Sequence, residues 1–191
     1  MPPRRARPLR LPDPSRVEPL RLASGRELWL RPVHPDDAGP IAGAFSLLTE
    51  EEVRRRYLHP VKALGEEYLR QLVNPVPGRD FAVVAAEPLP PGEALVGALA
   101  RLTGDPGGES AEFAILVSRF IAGQGVGRRL MLRLFEWAQA NGVQRIWGDV
   151  LDENAGMIQL AQELGFERLP GADGPGVVRI GARVDLARTP R

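Results

Sequence analysis

The sequence predicts an α/β protein of the α+β type, in which one mixed, mostly antiparallel sheet is flanked by helices. Short apolar segments separated by turns rich in proline and glycine are typical of strands. Between them lie segments whose apolar residues recur at helical spacing, the longest running over residues 125–141. A chain of 191 residues with 43% hydrophobic residues suits one domain with its own core.

The N-terminal segment is rich in arginine and proline, and we expect a flexible basic arm over residues 1–16 before a single domain over residues 17–187. Its prolines forbid the amphipathic helix of a transit peptide, and no apolar stretch of signal-peptide length follows. The uncharged apolar runs are far shorter than the roughly 20 residues of a membrane span. The sequence therefore predicts a cytoplasmic protein with no membrane contact.

The first half of the domain is predicted to hold a hairpin, three helices and three further strands. Pro35, followed by two acidic residues, is typical of a helix start. Thr49 and Glu52 have the spacing of a capping box, which predicts a second helix through Tyr57. The expected elements are two strands around the turn at 23–26, helices over 35–48, 49–57 and 64–73, and strands over 80–87, 94–102 and 109–118.

The second half is predicted to alternate helices and strands. The long amphipathic helix ends at Asn141-Gly142, a typical helix stop. The expected elements after it are a strand over 145–151, a helix over 154–164 and two terminal strands over 166–169 and 177–185. The complete order is ββ–ααα–βββ–α–β–α–ββ, a single sheet with helices packed on it.

Composition excludes several classes of function. The formal charge is +1, so no overall field steers the protein toward nucleic acid. The absence of cysteine excludes disulfides, thiolate metal sites and cysteine nucleophiles. With two histidines, His34 and His59, an HExxH metal site is impossible, and no serine lies in a GxSxG elbow. We expect no metal.

A glycine-rich loop joins a predicted strand to the long helix. Gly123, Gly125 and Gly127 let the backbone approach a ligand closely, and the unpaired N–H groups of the helix start favour an anion. No GxxxxGK[ST] pattern is present, and GxGxG differs from the dinucleotide fingerprint. On this loop alone, a glycine turn without a ligand is the alternative.

The same loop carries a family resemblance. Residues Ala122 to Gly127 resemble the coenzyme A pyrophosphate loop of the GNAT N-acetyltransferase superfamily, although that pattern starts with Arg or Gln where this chain has Ala122. The segment GDVLDENAGMIQLAQELGFER resembles the strand and helix that follow in the family, and the interval is right. The two blocks span residues 112–168. The resemblance implies a GNAT fold, acetyl-CoA as acyl donor and transfer to an amine.

The resemblance also implies which residues hold the donor. Backbone groups of one strand would bind the pantetheine arm and polarise the thioester, the loop would hold the pyrophosphate, and Asn154 would either contact the coenzyme or cap its own helix. The implied binding residues are Ile115, Leu116, Val117, Gly123, Gln124, Gly125, Val126, Gly127, Arg128 and Asn154.

Glu112 is the candidate general base. An amine is mostly protonated at neutral pH, so its attack on a thioester needs a base. By strand periodicity Glu112 shares a face with Ala114 and Leu116, apolar surroundings in which desolvation raises the pKa of a carboxyl group. The position also matches the base glutamate of the similar lysine acetyltransferases. The alternative is an exposed or ion-paired strand end.

The acceptor and the leaving-group acid stay open. The segments SGRELWLRPVHPDDA and LLTEEEVRRRYL resemble the catalytic domain of bacterial protein-lysine acetyltransferases, which modify acyl-CoA synthetases. This implies a protein lysine, with a small or N-terminal amine as the alternative. Where many members have a tyrosine that protonates the thiolate, this chain has Ala161, so water, Tyr57 or Tyr68 would serve. A non-catalytic acyl-CoA-binding module is the rival from another class.

Overall fold

Alternating and continuous apolar runs place eight strands in one sheet within residues 13–171 and 174–184, the part of the chain that the computed structural model describes. The spatial order is β1-β2-β3-β4-β5-β6-β8-β7. All neighbouring strands are antiparallel except β5 and β6, as the predicted mixed sheet requires. The strands are β1 Glu18–Arg21, β2 Glu27–Pro32, β3 Asp80–Ala86, β4 Val96–Gly104, β5 Ser110–Val117, β6 Arg145–Leu151, β7 Glu167–Leu169 and β8 Val177–Arg183.

Five α-helices within the described ranges connect these strands. The predicted capping box of the second helix is confirmed, with the Thr49 hydroxyl and the Glu52 carboxylate bonded to each other's backbone N–H. The helices are α1 Ala38–Ser46, α2 Glu50–Tyr57, α3 Glu66–Val73, α4 Val126–Ala140 and α5 Ala155–Glu163. Within the described residues, no helix is long and apolar enough to cross a membrane.

The first predicted helix differs at both ends. It opens with a 3₁₀ turn over Pro35–Asp37, because the Asp37 carboxylate turns back to accept from the His34 N–H at 2.8 Å. It ends at Ser46 rather than residue 48, because Leu47 and Leu48 bond three residues back in a tightened last turn. The third helix begins at Glu66, two residues later than predicted.

The helices cover the two faces of the sheet. Helix α4 packs on one face, where Leu130, Met131 and Leu134 are fully buried in the main core. Helices α1 and α3 cover the other face, where Ile41 and Leu72 pack on a smaller core. This arrangement leaves the C-terminal half of β5 between the start of α4 and the helices of the opposite face.

The parallel strands β5 and β6 separate part-way along their length. Their pairing runs from Ser110 opposite Arg145 to Glu112 opposite Trp147 and goes no further. Strand β5 nevertheless extends to Val117, and its other edge stays paired with β4 throughout. The backbone groups that β5 directs toward β6 beyond Glu112 therefore face an opening in the sheet.

Residues 13–16 lie against helix α4, unlike the flexible arm expected over 1–16. The Arg133 guanidinium donates to the Pro14 carbonyl oxygen at 2.6 Å and to the Arg16 carbonyl oxygen at 2.9 Å. Arg16 in turn pairs with Glu136 at 2.7 Å. These bonds hold the segment against α4, because they supply acceptors to one nitrogen of a guanidinium that is almost fully buried. Residues 1–12, the rest of the expected arm, lie outside the described residues. So do residues 185–191, which include the C-terminal end of the expected domain.

Candidate active site

A cleft of about 990 Å³ opens where β5 and β6 separate. Strand β5 forms its floor from Glu112 to Val117, and β6 contributes Asp149 and Val150. The start of α4, helix α5 and helix α2 form its walls. Predicted site residues that lie far apart in the sequence are thereby brought around one space.

The glycine loop lies at one end of the cleft. Gly123 and Gly125 have φ values of 72° and 81°, which favour glycine because other residues are strained there. Gly125 is the N-cap of α4, and among the described residues no side chain caps this helix. Its first N–H groups are therefore available to an anion, and the helix dipole favours negative charge at the same place.

Gly127 lies where the start of α4 packs against α5 and β5. A Cβ atom at this position would lie 3.4 Å from Cδ2 of Leu160 and 3.7 Å from a methyl group of Val117. Arg128 stands beside the same helix start, and its guanidinium lies 3.7 Å from the Glu163 carboxylate of α5. The loop thus combines backbone donors with a cation that α5 helps to position.

Asn154 lies in the cleft wall and begins α5. Its Oδ1 accepts a hydrogen bond from the Met157 N–H at 3.3 Å, so the capping role is present. Its side chain also lines the cleft. The two roles that the sequence left open are thus compatible.

Two residues of the predicted loop point away from the cleft. Val126 is 1% exposed and packs in the main core, so only its backbone belongs to the helix start. The Gln124 side chain accepts from the Ser24 N–H at 3.4 Å and does not line the cleft. By contrast Ile115, Leu116 and Val117 all line it.

Glu112 lies on β5 at the last residue pair before the strands separate. Its side chain is exposed in the cleft, yet the surrounding walls remove part of its hydration, and this desolvation is the main cause that raises the pKa of Glu112. Asp149 and Asp105 raise it further by repulsion, while Arg56 and Arg179 act in the opposite direction. The direction expected from the sequence is confirmed, but its surroundings are charged as well as apolar.

A cluster of hydrogen-bonded side chains, mostly from β6 and β8, lies beside Glu112. Arg179 donates two hydrogen bonds to the Asp149 carboxylate, both at 2.7 Å, and its guanidinium stacks 4.5 Å from the Trp147 ring centroid. The Trp147 indole N–H donates to Asp105 at 3.2 Å. Since Asp149 already has a partner, Glu112 is left as the carboxylate without a hydrogen bond or ion pair among the described residues.

Helix α2 forms another wall of the cleft. Of the two tyrosines considered for the leaving group, Tyr57 lines the cleft and Tyr68 lies behind it, accepting from the Arg56 guanidinium at 3.1 Å. Burial raises the pKa of the Tyr57 hydroxyl, so it stays protonated. His59 is exposed and does not line the cleft. Ala161 is buried, consistent with its lack of a polar group.

A family model described as the acetyltransferase (GNAT) family matches residues 44–166, more than half of the chain and all of the cleft's floor and glycine loop. The chain belongs to the GNAT acetyltransferase family. It is thus an N-acetyltransferase, and acetyl-CoA is the acyl donor that this family uses.

Solved structures agree with this GNAT assignment. The GNAT domain of S. lividans PAT is 22% identical, with a TM-score of 0.75 over 87% of this chain and 96% of that one. A GNAT acetyltransferase from Streptococcus pneumoniae is 18% identical, with a TM-score of 0.64 over 83% and 99%. At these identities the likeness establishes the shared fold.

A cAMP-binding acyltransferase from Mycobacterium smegmatis is 26% identical, with a TM-score of 0.61. The alignment covers 92% of this chain but 50% of the mycobacterial protein. The chain therefore spans half the length of that relative, and the shared part is the acyltransferase fold described above.

Several residues of the GNAT cleft carried no signal in the sequence. Arg119 donates from its backbone and its guanidinium to the Glu52 carboxylate, at 3.1 and 3.0 Å, and so ties α2 to the loop after β5. Arg54 pairs with Glu153 before α5. The charged side chains of α2 therefore link this helix to two other parts of the cleft. Within the described residues no group of three or more histidine or acidic side chains is placed to hold a metal ion.

Proposed function

We propose that this GNAT enzyme transfers the acetyl group of acetyl-CoA to a protein lysine by direct attack, with Glu112 as general base. The observation that carries the proposal is the placement of Glu112 and the glycine loop at two ends of one cleft, with the open edge of β5 between them. Pyrophosphate, pantetheine and thioester would occupy this cleft in that order.

The donor is bound mainly by backbone groups in this proposal. The N–H groups at the start of α4 and Arg128 hold the pyrophosphate, since an uncapped helix start favours an anion. Backbone groups of Ile115, Leu116 and Val117 hold the pantetheine arm and polarise the thioester carbonyl. The separation of β5 from β6 supports this, because it leaves one edge of β5 free to bond a ligand.

Glu112 removes the proton that the acceptor must lose. The amine nitrogen attacks the thioester carbon, the new C–N bond forms as the C–S bond breaks, and coenzyme A leaves as its thiolate. A carboxylate with a raised pKa is a stronger base than an ordinary glutamate, and it accepts the proton directly or through water. The Glu112 carboxylate is available because no neighbour among the described residues binds it.

Tyr57 assists the leaving group by hydrogen bonding rather than by giving up its proton. A thiol has a pKa of about 8.5, well below that of a buried phenol, so proton transfer from Tyr57 to the thiolate is uphill. Solvent then supplies the proton. This assigns Tyr57 a smaller share of the rate than Glu112.

The acceptor class rests on access and on the family resemblance. The cleft is open, so an acceptor side chain can reach the proposed base from solvent. The resemblance to bacterial protein-lysine acetyltransferases points to a lysine, such as one on an acyl-CoA synthetase. A small or N-terminal amine is the competing acceptor.

The test incubates the protein with radiolabelled acetyl-CoA and a lysate that is divided into macromolecular and small-molecule fractions. The Glu112→Gln variant is the control. Label on discrete protein bands, absent in the control, supports protein-lysine transfer and identifies the target by mass. Lys62, the single lysine, keeps self-acetylation of side chains low.

The other results contradict the proposal in different ways. Label confined to the small-molecule fraction would replace the protein lysine with a metabolite amine. Binding of acetyl-CoA without any labelled product would favour a non-catalytic module. Equal labelling by Glu112→Gln would remove Glu112 from the mechanism.

A further inference from the structure

A second cavity, of about 560 Å³, lies between the sheet and helices α1 and α3. Its lining is mainly aliphatic and aromatic, and the exposed side chains of Leu95 and Phe120 stand at its edge. Cavities of this size, apolar lining and partial enclosure are typical of small-molecule sites. The apolar lining comes from Leu28, Ile41, Phe45, Leu48, Leu64, Leu72, Val96, Leu99, Leu116 and Ile121.

This cavity adjoins the coenzyme A cleft. Leu116, Tyr57 and Arg56 line both spaces, so they form the boundary between them. Leu116 is also one of the residues whose backbone would polarise the thioester carbonyl. If the proposed function holds, the acyl group is therefore attached beside the Leu116 side chain, at the entrance of the apolar cavity.

The charges around the cavity argue against an amine as its occupant. Its charged lining residues are Arg26 and Arg56, and within the described residues no carboxylate lines it. Arg56 bonds the Tyr68 hydroxyl and lies 4.6 Å from the Tyr57 ring centroid. Arg26 is paired with Glu87, so an ammonium group would meet the Arg56 cation and lose its hydration without gaining a carboxylate among the described lining residues. A hydrocarbon chain would lose only contact with water.

We propose that the apolar cavity receives the hydrocarbon chain of an acyl-CoA donor longer than acetyl-CoA. The reaction keeps its balance: the amine nitrogen bonds to the acyl carbon, the C–S bond breaks, Glu112 takes the amine proton and coenzyme A departs. The inference rests on the proposed function for the position of the thioester. The inference extends the proposed function from acetyl transfer to the transfer of medium-length saturated acyl groups.

The first experiment measures binding without turnover. Calorimetric titrations use coenzyme A and its acetyl, butyryl, hexanoyl and octanoyl thioesters, with no amine present. Burial of a methylene group in an apolar site favours binding, and we expect the affinity to rise about fourfold per added methylene. Affinity that stays level or falls beyond acetyl would overturn the inference while leaving the proposed function intact.

The second experiment fills the cavity from α1. Ala44 lines it, whereas Ala42, on the same helix, lines neither space. Ala44→Phe is expected to abolish the gain from acetyl to octanoyl and to leave acetyl-CoA binding unchanged; Ala42→Phe is the matched control. Leu48→Trp, from the loop after α1, tests the same space should Ala44→Phe fail to fold.

Steady-state rates separate the remaining outcomes. An increase in KM for the amine acceptor in Ala44→Phe, equal for every donor, would assign the cavity to the acceptor and overturn the inference. Equal losses in Ala44→Phe and Ala42→Phe would do the same. Failure of every thioester to bind would overturn the proposed function, and the inference with it.

Discussion

Two carboxylates of this protein, Asp37 and Glu112, lie in contrasting surroundings. Asp37, at the start of the first helix, is fully buried and accepts two hydrogen bonds from Arg31, at 2.7 and 2.8 Å, and a third from the His34 N–H. Glu112 lies in the cleft beside other carboxylates and has no such partner among the described residues. The charge of Asp37 is balanced by Arg31, whereas the charge of Glu112 is not balanced by an ion pair among the described residues.

The pKa values of the two groups move in opposite directions. Burial alone would raise the pKa of Asp37, but the bonds from Arg31 and His34 outweigh it and hold the pKa below its usual range. Desolvation raises the pKa of Glu112, and nearby carboxylates add to the effect. The charge that stabilises the fold is paired, whereas the charge that we propose for catalysis has no ion-pair partner among the described residues.

The largest expected effect is the loss of activity when Glu112 is replaced. Glu112→Gln keeps the shape of the side chain and removes its basicity, so kcat should fall by about 10²–10⁴. The affinity for acetyl-CoA should change little, because in the proposed mechanism the glycine loop and β5 hold the donor. The measurement is steady-state kinetics together with calorimetric titration. Glu109→Gln, an exposed glutamate outside the cleft, is the matched control and should retain full activity.

Removing the charge of Asp37 should lower the stability of the fold. Asp37→Asn leaves the buried Arg31 guanidinium without a counter-charge, which costs about 3–5 kcal/mol in the free energy of unfolding. Denaturant unfolding measures it, with Asp36→Asn on the exposed neighbour as the control. Because the pKa of Asp37 is lowered, its contribution is complete above about pH 4 and disappears as pH falls through the folded-state pKa. A difference from the parent protein that persists in acid would contradict this account.

The glycine loop should respond more moderately. Gly125→Ala places a side chain at a φ of 81° and costs about 1–2 kcal/mol, either in stability or in displacement of the N–H groups that face the donor. We expect acetyl-CoA affinity to fall about tenfold. Gly39→Ala, in the ordinary helical conformation of α1, should leave binding unchanged. Equal affinity in Gly125→Ala would remove this loop from the donor site.

The smallest expected effect is a gain in stability when the charge of Glu112 is removed. The raised pKa of Glu112 means that its ionisation opposes folding, so Glu112→Gln should stabilise the protein at pH 7, by about 1 kcal/mol or less because the cleft is solvent-accessible. The gain should vanish below about pH 4, where the glutamate is protonated in both folded and unfolded states. Denaturant unfolding at the two pH values checks this. A loss of stability at pH 7 would mean that Glu112 is paired after all.

Much of the fold was predictable because its signals are local. The capping box of α2, the glycine stop after α4 and the apolar periodicity of α4 each act within a few residues. The order of elements along the chain followed from such signals, whereas the spatial order of the strands was not predicted. The changed ends of the first helix depend on local hydrogen bonds that the pattern of residue types does not fix. The docking of residues 13–16 could not be predicted for another reason, because it depends on a distant contact. The hold on residues 13–16 comes from Arg133, more than a hundred residues away in the sequence.

The candidate site divides in the same way. Glu112 and the glycines could be predicted because one strand and one loop carry them. Asp149 and Arg179 could not, because their positions around Glu112 depend on how β6 and β8 pack against β5. Tyr57 was one of two candidate tyrosines, and only the packing of α2 places it in the cleft. The directions of Val126 and Gln124 likewise follow from packing that a glycine-loop pattern does not encode.

The most direct test of the central claim is the pH dependence of kcat/KM for acetyl transfer, measured in the parent protein and in Glu112→Gln. The account predicts a rising limb governed by one group whose pKa lies above the ordinary glutamate value of about 4.3, and its loss in the variant. An unchanged rising limb in Glu112→Gln would contradict the claim that Glu112 is the base.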